Sequence, residues 1–288
     1  MIALATSLAS VSTRFSVLLV DVWGVVHNGV TPFAPACEAL IAARKDGKKI
    51  ILISNAPRLS SEIPPQFERI GVPEDVFDEI VTSGDATREI IAGWSSGAPL
   101  KLHHIGPDRD LSVFQGLNVE RVPLEAASHI VCTGLLDDET ETPEDYEEIL
   151  TAIARRRLAF LCANPDIVVQ RGQRLLYCAG ALARRLEEMG GAPIYPGKPH
   201  EPIYRLALTR AAASLGRNVE KKEVLAIGDG LATDILGAHR FGIASLFVIG
   251  GIHGTMFQTG TAIDRRAIAE ACGKLGVAPI AAMSELAP

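Results

Sequence analysis

The apolar positions of this chain recur in short unbroken runs, each closed by a polar residue or a glycine-bearing loop. The first run, Val17-Leu18-Leu19-Val20, ends abruptly in Asp21 and leads into Val22-Trp23-Gly24-Val25-Val26-His27-Asn28-Gly29. Such a run reads as a parallel strand buried on both faces. It delivers its aspartate to the carboxyl edge of a sheet, where the ligand crevices of open α/β sheets lie. Residues 49–53 form a second run ending in Ser54-Asn55, residues 223–227 a third ending in Gly228-Asp229, and residues 244–249 a fourth ending in Gly250-Gly251. Apolar residues at helical spacing predict helices over 35–47, over 60–70 with a break at Pro64-Pro65, over 201–215 and over 235–241. Strand alternating with helix implies a parallel sheet with right-handed crossovers.

The middle of the chain starts the rhythm afresh. A helix begins near Thr82-Ser83-Gly84-Asp85, strands are predicted over 100–105, 127–134 and 158–163, and helices over 146–157 and 177–189. The reading is therefore an α/β fold with a Rossmann-like core, residues 1–82 and 194–288. An α/β domain, residues 83–193, is inserted into it as a cap hinged over an active-site crevice.

Composition narrows the function classes. The chain has 288 residues, 48% of them hydrophobic, enough for a substantial core. Its net charge of −6 argues against a nucleic-acid surface, which needs a basic stripe. No run of about 18 apolar residues predicts a membrane span. The five cysteines show no C-x-x-C pairing, so reduced thiols in a cytoplasmic protein are expected, without a disulfide framework or zinc site. Oligomeric state stays open, a homo-oligomer included.

Four loops remain that carry chemistry: Asp21, Ser54-Asn55, Lys198 in Gly197-Lys198-Pro199, and Asp229 with Asp234. Singly, each is ordinary turn or cap chemistry. Together, on one predicted sheet edge, they fit phosphoryl transfer. A hard cation such as Mg²⁺ takes one or two carboxylates plus phosphate and water. Asp21 and Asp229 are candidates for those carboxylates, with Asp234 acting through a bound water. Lys198 adds a cation near the transferring group, while Ser54 and nearby amides hold phosphate oxygens. Asp21 is then the candidate nucleophile, forming an aspartyl-phosphate.

In these motifs the chain resembles the haloacid-dehalogenase-like (HAD) superfamily, and specifically its class IIA branch of nitrophenylphosphatase-, phosphoglycolate phosphatase- and pyridoxal phosphatase-like enzymes. Asp21 matches the first motif, Ser54-Asn55 the second, Lys198 the third, and Asp229 with Asp234 the fourth. Asn164-Pro165-Asp166 resembles a recurrent loop of the class IIA cap. The resemblance runs from about Phe15 to the end and implies a Mg²⁺-dependent phosphatase acting on a small phosphorylated substrate, such as a sugar phosphate, chosen by the cap. Asn55, Asn164, Asp166 and Arg171, the last in Gln170-Arg171-Gly172, are the candidate substrate contacts.

One position departs from the pattern. The family's phosphatases carry a second aspartate two residues after the nucleophile, which protonates the leaving alcohol. Here that residue is Trp23. Its backbone carbonyl can still ligate the metal, but an indole is no acid at neutral pH. His27, water and a cap residue such as Asp166 are the alternative proton sources. A weakly catalytic phosphate- or metabolite-binding protein is the competing reading.

Overall fold

The computed structural model describes residues 2–95, 97–171, 174–251, 254–259 and 262–288. Their contacts divide into two compact units. The larger comprises Met1–Ser54, Ile63–Val81 and Lys198–Pro288, and the inserted unit comprises Asn55–Glu62 and Thr82–Gly197.

The larger unit is built on strands β1 (Val17–Asp21), β2 (Lys49–Ser54), β3 (Glu79–Thr82), β10 (Val224–Gly228), β11 (Ala244–Val248) and the last strand, Ala281–Met283. Their order across the sheet is Ala281–Met283, β11, β10, β1, β2, β3. β1 pairs in parallel with both β2 and β10, with Asp21 level with Ile53 and Val20 level with Ile227. Every residue of β1 and β10 is buried, which explains why these segments read as continuous apolar runs rather than alternating ones. Counted along the chain, this is the doubly wound order 3-2-1-4-5-6. Its switch point falls between β1 and β10.

Local signals set the helix ends. Pro35 stands at the start of Ala34–Lys45 and Arg44 and Lys45 in its last turn. This is the polarity that the helix dipole favours. Helix Glu201–Leu215 likewise opens with a proline and closes on Gly216 at φ +64°. Thr82 and Asp85 form a capping box that starts helix Ser83–Trp94.

The inserted unit holds a four-stranded parallel sheet in the order β5 (Val119–Arg121), β4 (Leu100–Ile105), β6 (His129–Cys132), β7 (Ala159–Cys162). A hairpin, β8 (Val168–Arg171) with β9 (Arg174–Tyr177), stands apart from it. Helices Glu147–Arg156 and Ala179–Glu188 cover a core of Ile130, Cys132, Leu150, Phe160, Cys162 and Leu182. All five cysteines are buried free thiols. No helix among the described residues is long and apolar enough to cross a membrane.

Two expectations need correction. The helix expected over 177–189 begins at Ala179, because Tyr177 closes β9 by pairing with Val168. The helix expected over 235–241 is α-helical only from Leu236 to Phe241. A single π turn, Leu231–Ile235, precedes it.

Candidate active site

Three of the four chemical loops meet at the switch point of the larger sheet. β1 carries Asp21 to its carboxyl end, and β10 ends at Gly228 so that Asp229 follows directly. Lys198 donates to Asp21 Oδ1 and, at 2.7 Å, to Asp234 Oδ1. It also approaches the Ile53 carbonyl at 3.4 Å. Asp234 uses its other oxygen to accept the Gly230 amide at 3.0 Å, which ties the loop after β10 to the π turn. π turns are recurrent at functional sites because they re-aim a side chain within a helix. Here the turn aims Asp234 at Lys198. The Lys198–Pro199 peptide is cis.

The four charged groups are deeply buried: Asp21 is 7% exposed, Lys198 3%, Asp229 5% and Asp234 3%. Burial first, and then the charge of Asp234, push the Asp21 carboxyl well above the ordinary carboxylate range, against the pull of Lys198. Burial opposes the Lys198 charge, but Asp21 and Asp234 outweigh it and hold the ammonium firmly protonated. Asp21, Asp229 and Asp234 each offer an oxygen within 4.8 Å of the others. An all-oxygen set of three carboxyl groups fits a hard divalent cation.

Two glycines make room for Asp229. At Gly24, φ +82°, a Cβ would stand 2.7 Å from the Asp229 Cγ, and one at Gly251 would collide with the same carboxylate. Neither requirement is visible in the sequence, since a glycine in a loop says nothing of what approaches it. Tyr204 also escaped notice. Its ring is fully buried and its hydroxyl donates to the Asp234 carbonyl at 3.4 Å.

Ser54, buried, ends β2 one residue beyond the level of Asp21. Trp23 stands half-buried in the loop after β1. Its indole lies edge-on to His27 with ring centroids 5.0 Å apart, and a Cβ at Gly29 would meet its outer edge at 2.5 Å. His27 is 1% exposed, its Nδ1 accepts the Gly29 amide at 2.8 Å, its ring lies edge-on to Phe67, and burial lowers its pKa to about 4.

The remaining predicted residues lie in the inserted unit. Asn55 donates to Asp166 Oδ1 at 2.8 Å, and Asn164 Oδ1 accepts the Asp166 amide at 3.1 Å. Ser54 and Asn55, adjacent in sequence, thus belong to different units. Arg171 closes β8 opposite Arg174, but its side chain lies outside the described residues, as does Gly172 beyond it.

A doubly wound sheet that collects a buried aspartate cluster and a lysine at its switch point defines a class: α/β proteins with a candidate cation site at the sheet's carboxyl edge. The comparisons specify it. A model described as haloacid dehalogenase-like hydrolase matches residues 18–120, and a second, HAD-hydrolase-like, matches residues 195–270. A crystal structure of a haloacid dehalogenase-like hydrolase from Brucella suis 1330 is 44% identical. It covers 98% of this chain and 100% of its own, with a TM-score of 0.86. The chain belongs to the haloacid dehalogenase-like hydrolase family, in its class IIA branch. A D-glycerol 3-phosphate phosphatase of Mycobacterium tuberculosis is 26% identical over 247 residues, 85% of this chain. The chain spans only 65% of the length of that relative. The magnesium complex of a glycerol phosphate phosphatase from the same organism shares the fold at 24% identity and a TM-score of 0.65, over 88% of this chain and 71% of its own.

Proposed function

We propose that this protein is a Mg²⁺-dependent phosphatase that hydrolyses a small phosphorylated metabolite through a covalent phosphoryl group on Asp21. The observation that carries the reading is the buried cluster of Asp21, Asp229, Asp234 and Lys198 at the switch point. The relation to a D-glycerol 3-phosphate phosphatase supports the reaction class.

When bound, Mg²⁺ neutralises phosphate charge so that an anionic carboxylate can approach phosphorus. Asp21, Asp229 and the Trp23 carbonyl would hold it, with Asp234 acting through water. Asp21 attacks phosphorus, and the bond to the leaving oxygen breaks with its electron pair on that oxygen. Water then attacks phosphorus, the Asp21 carboxylate is restored, and both protons of the water leave with the phosphate. Lys198 holds one Asp21 oxygen and thereby orients the other. Ser54 supports the phosphoryl oxygens. Asn55, Asn164, Asp166 and Arg171 choose the substrate, with residues 83–193 as the selecting domain.

Hydrolysis of 4-nitrophenyl phosphate with and without Mg²⁺ tests the reading. Asp21→Asn is expected to lower kcat by at least about 10³-fold, since it removes the nucleophile on which both steps depend. Equal turnover by Asp21→Asn and the parent protein sinks the reading. Binding of inorganic phosphate without turnover on any ester would favour the binding-protein alternative.

A further inference from the structure

We propose that Tyr204 is a positioning residue for the cation site: its hydroxyl holds the π turn Leu231–Ile235 in the register that aims Asp234 into the aspartate cluster. This rests on the Mg²⁺ site of the reading above and adds a residue to it.

Asp234 is gripped twice from one short segment. Lys198 Nζ donates to its Oδ1 at 2.7 Å. Six residues on, early in helix Glu201–Leu215, the Tyr204 hydroxyl donates to its carbonyl at 3.4 Å. One bond holds the side chain and the other the backbone. Tyr204 is fully buried, where a hydroxyl without a partner is costly, and the Asp234 carbonyl is its partner among the described residues. Burial, and then the charge of Asp234, push the phenol pKa upward, so the group stays a donor.

Tyr204 also runs along one face of the helix that follows the turn. Its ring stacks on Phe241, with centroids 5.4 Å apart and 23° between the planes, and a Cβ at Gly237 would collide with its hydroxyl. Asp234, Gly237 and Phe241 are spaced by three and four residues, as on one helix face. Glycine weakens a helix interior relative to alanine, but at position 237 it leaves the room that the hydroxyl occupies. Gly228 likewise leaves room for the Asp234 side chain, which a Cβ there would strike.

A π turn carries one residue more than an α turn, so relaxing it to α register rotates the residues before it by about 100°. That slip takes the Asp234 side chain away from Lys198. Contacts from outside the helix select between the two registers, and the Tyr204 hydroxyl lies on the backbone of the turn itself. The register fixes where the Asp234 carboxyl stands, and through it how tightly the cluster holds a cation.

The test titrates Mg²⁺ against Tm, by differential scanning fluorimetry, and against turnover of 4-nitrophenyl phosphate. It compares the parent protein with Tyr204→Phe, Gly237→Ala, Asp234→Asn and the double variant Tyr204→Phe/Asp234→Asn. Tyr204→Phe keeps the ring and removes one oxygen. It is expected to raise the Mg²⁺ concentration at half the Tm shift roughly tenfold, the low end for losing a group that orients a metal ligand. The same factor is expected in the Mg²⁺ activation constant, with a smaller one in kcat. Gly237→Ala, which displaces the hydroxyl without removing it, should move the Mg²⁺ midpoint in the same direction. In the Asp234→Asn background, Tyr204→Phe should add less than about twofold, because residues that act through one another are not additive. A Tyr204→Phe protein with a lower Tm and an unmoved Mg²⁺ midpoint shows a structural role only and overturns the proposal. A shift as large with Asp234→Asn as without it does the same, as does a parent Tm indifferent to Mg²⁺. If Tyr204→Phe does not fold, the Mg²⁺ midpoint of Gly237→Ala decides. A Tm that responds to Mg²⁺ without Mg²⁺-dependent turnover removes the phosphatase reading instead, and the Tm series still decides the role of Tyr204.

Discussion

Both units are built on parallel sheets with a switch point, yet the two carboxyl edges are put to opposite uses. In the larger sheet the edge between β1 and β10 gathers three carboxyl groups and one ammonium, with the carboxyl oxygens close enough to share one cation. In the inserted sheet the edge between β4 and β6 gathers buried polar groups that contact one another. His104 Nε2 meets Thr133 Oγ1 at 2.9 Å, and Thr133 in turn bonds the Asp110 carboxylate. Arg58 Nε lies 3.3 Å from Asp110 Oδ1. Gly106, at φ +144°, lets the backbone pass where a Cβ would strike Thr133. Burying polar groups is costly in either place. In the inserted unit a hydroxyl and a guanidinium face the Asp110 carboxylate, while its Oδ1 accepts no hydrogen bond from the described residues. In the larger unit three carboxyl oxygens stand within reach of one cation. The same topology thus supplies a place for a site, and the side chains gathered there decide what it can hold.

Removing or supplying the cation probes the difference most strongly. Mg²⁺ at a hundredfold excess over its Kd should stabilise the protein by about 2.7 kcal/mol. Differential scanning fluorimetry reads this as a rise in Tm, and Asp229→Asn should lose most of it. A Tm indifferent to Mg²⁺ would show that the aspartate cluster is balanced some other way. The closed network should respond to truncation instead. Asp110→Ala leaves the Thr133 hydroxyl without its acceptor and should cost roughly 1–3 kcal/mol. Arg58 is about a third exposed, so water takes over part of its role and holds the cost down. Urea unfolding measures it, and the Mg²⁺ response should persist in this variant. An Asp110→Ala protein as stable as its parent would mean that the network contributes little.

The smallest effect concerns acid. Burial, more than the neighbouring charges of Arg121 and His103, lowers the pKa of His104 to about 4, so the folded state resists a proton that the unfolded chain accepts. Between pH 6.5 and 4 the unfolded state therefore binds more protons, and stability falls as pH falls through that window. The slope is at most about 1.4 kcal/mol per pH unit for this one group. His104→Gln should remove about one proton from the pH dependence of urea unfolding. An unchanged slope would mean that His104 titrates normally.

Much of the larger unit was legible because a strand buried on both faces leaves an unbroken apolar run, and its closing residue marks a sheet edge. Asp21 and Asp229 were picked out in this way, whereas Lys198 sits in a turn before a helix and Asp234 at a helix start, and both were picked out with the motifs of the resemblance. Short or half-exposed elements were not legible. β3 has four residues fused directly to a helix, and in β5 only Val119 is partly covered, so neither shows a period long enough to read. The β8–β9 hairpin was missed for the same reason.

What the sequence determined by itself was the order of the long buried strands and the helices between them and the four chemical loops, because these depend on residue type and spacing along the chain. Only the tertiary structure decided which polar groups are balanced. Lys198 shared between Asp21 and Asp234, the glycines crowding Asp229, the Phe67 ring against His27 and the Asn55–Asp166 bond all join residues distant in sequence. Charge balance in a low-dielectric interior depends on separations in space, and those exist only once the chain has folded.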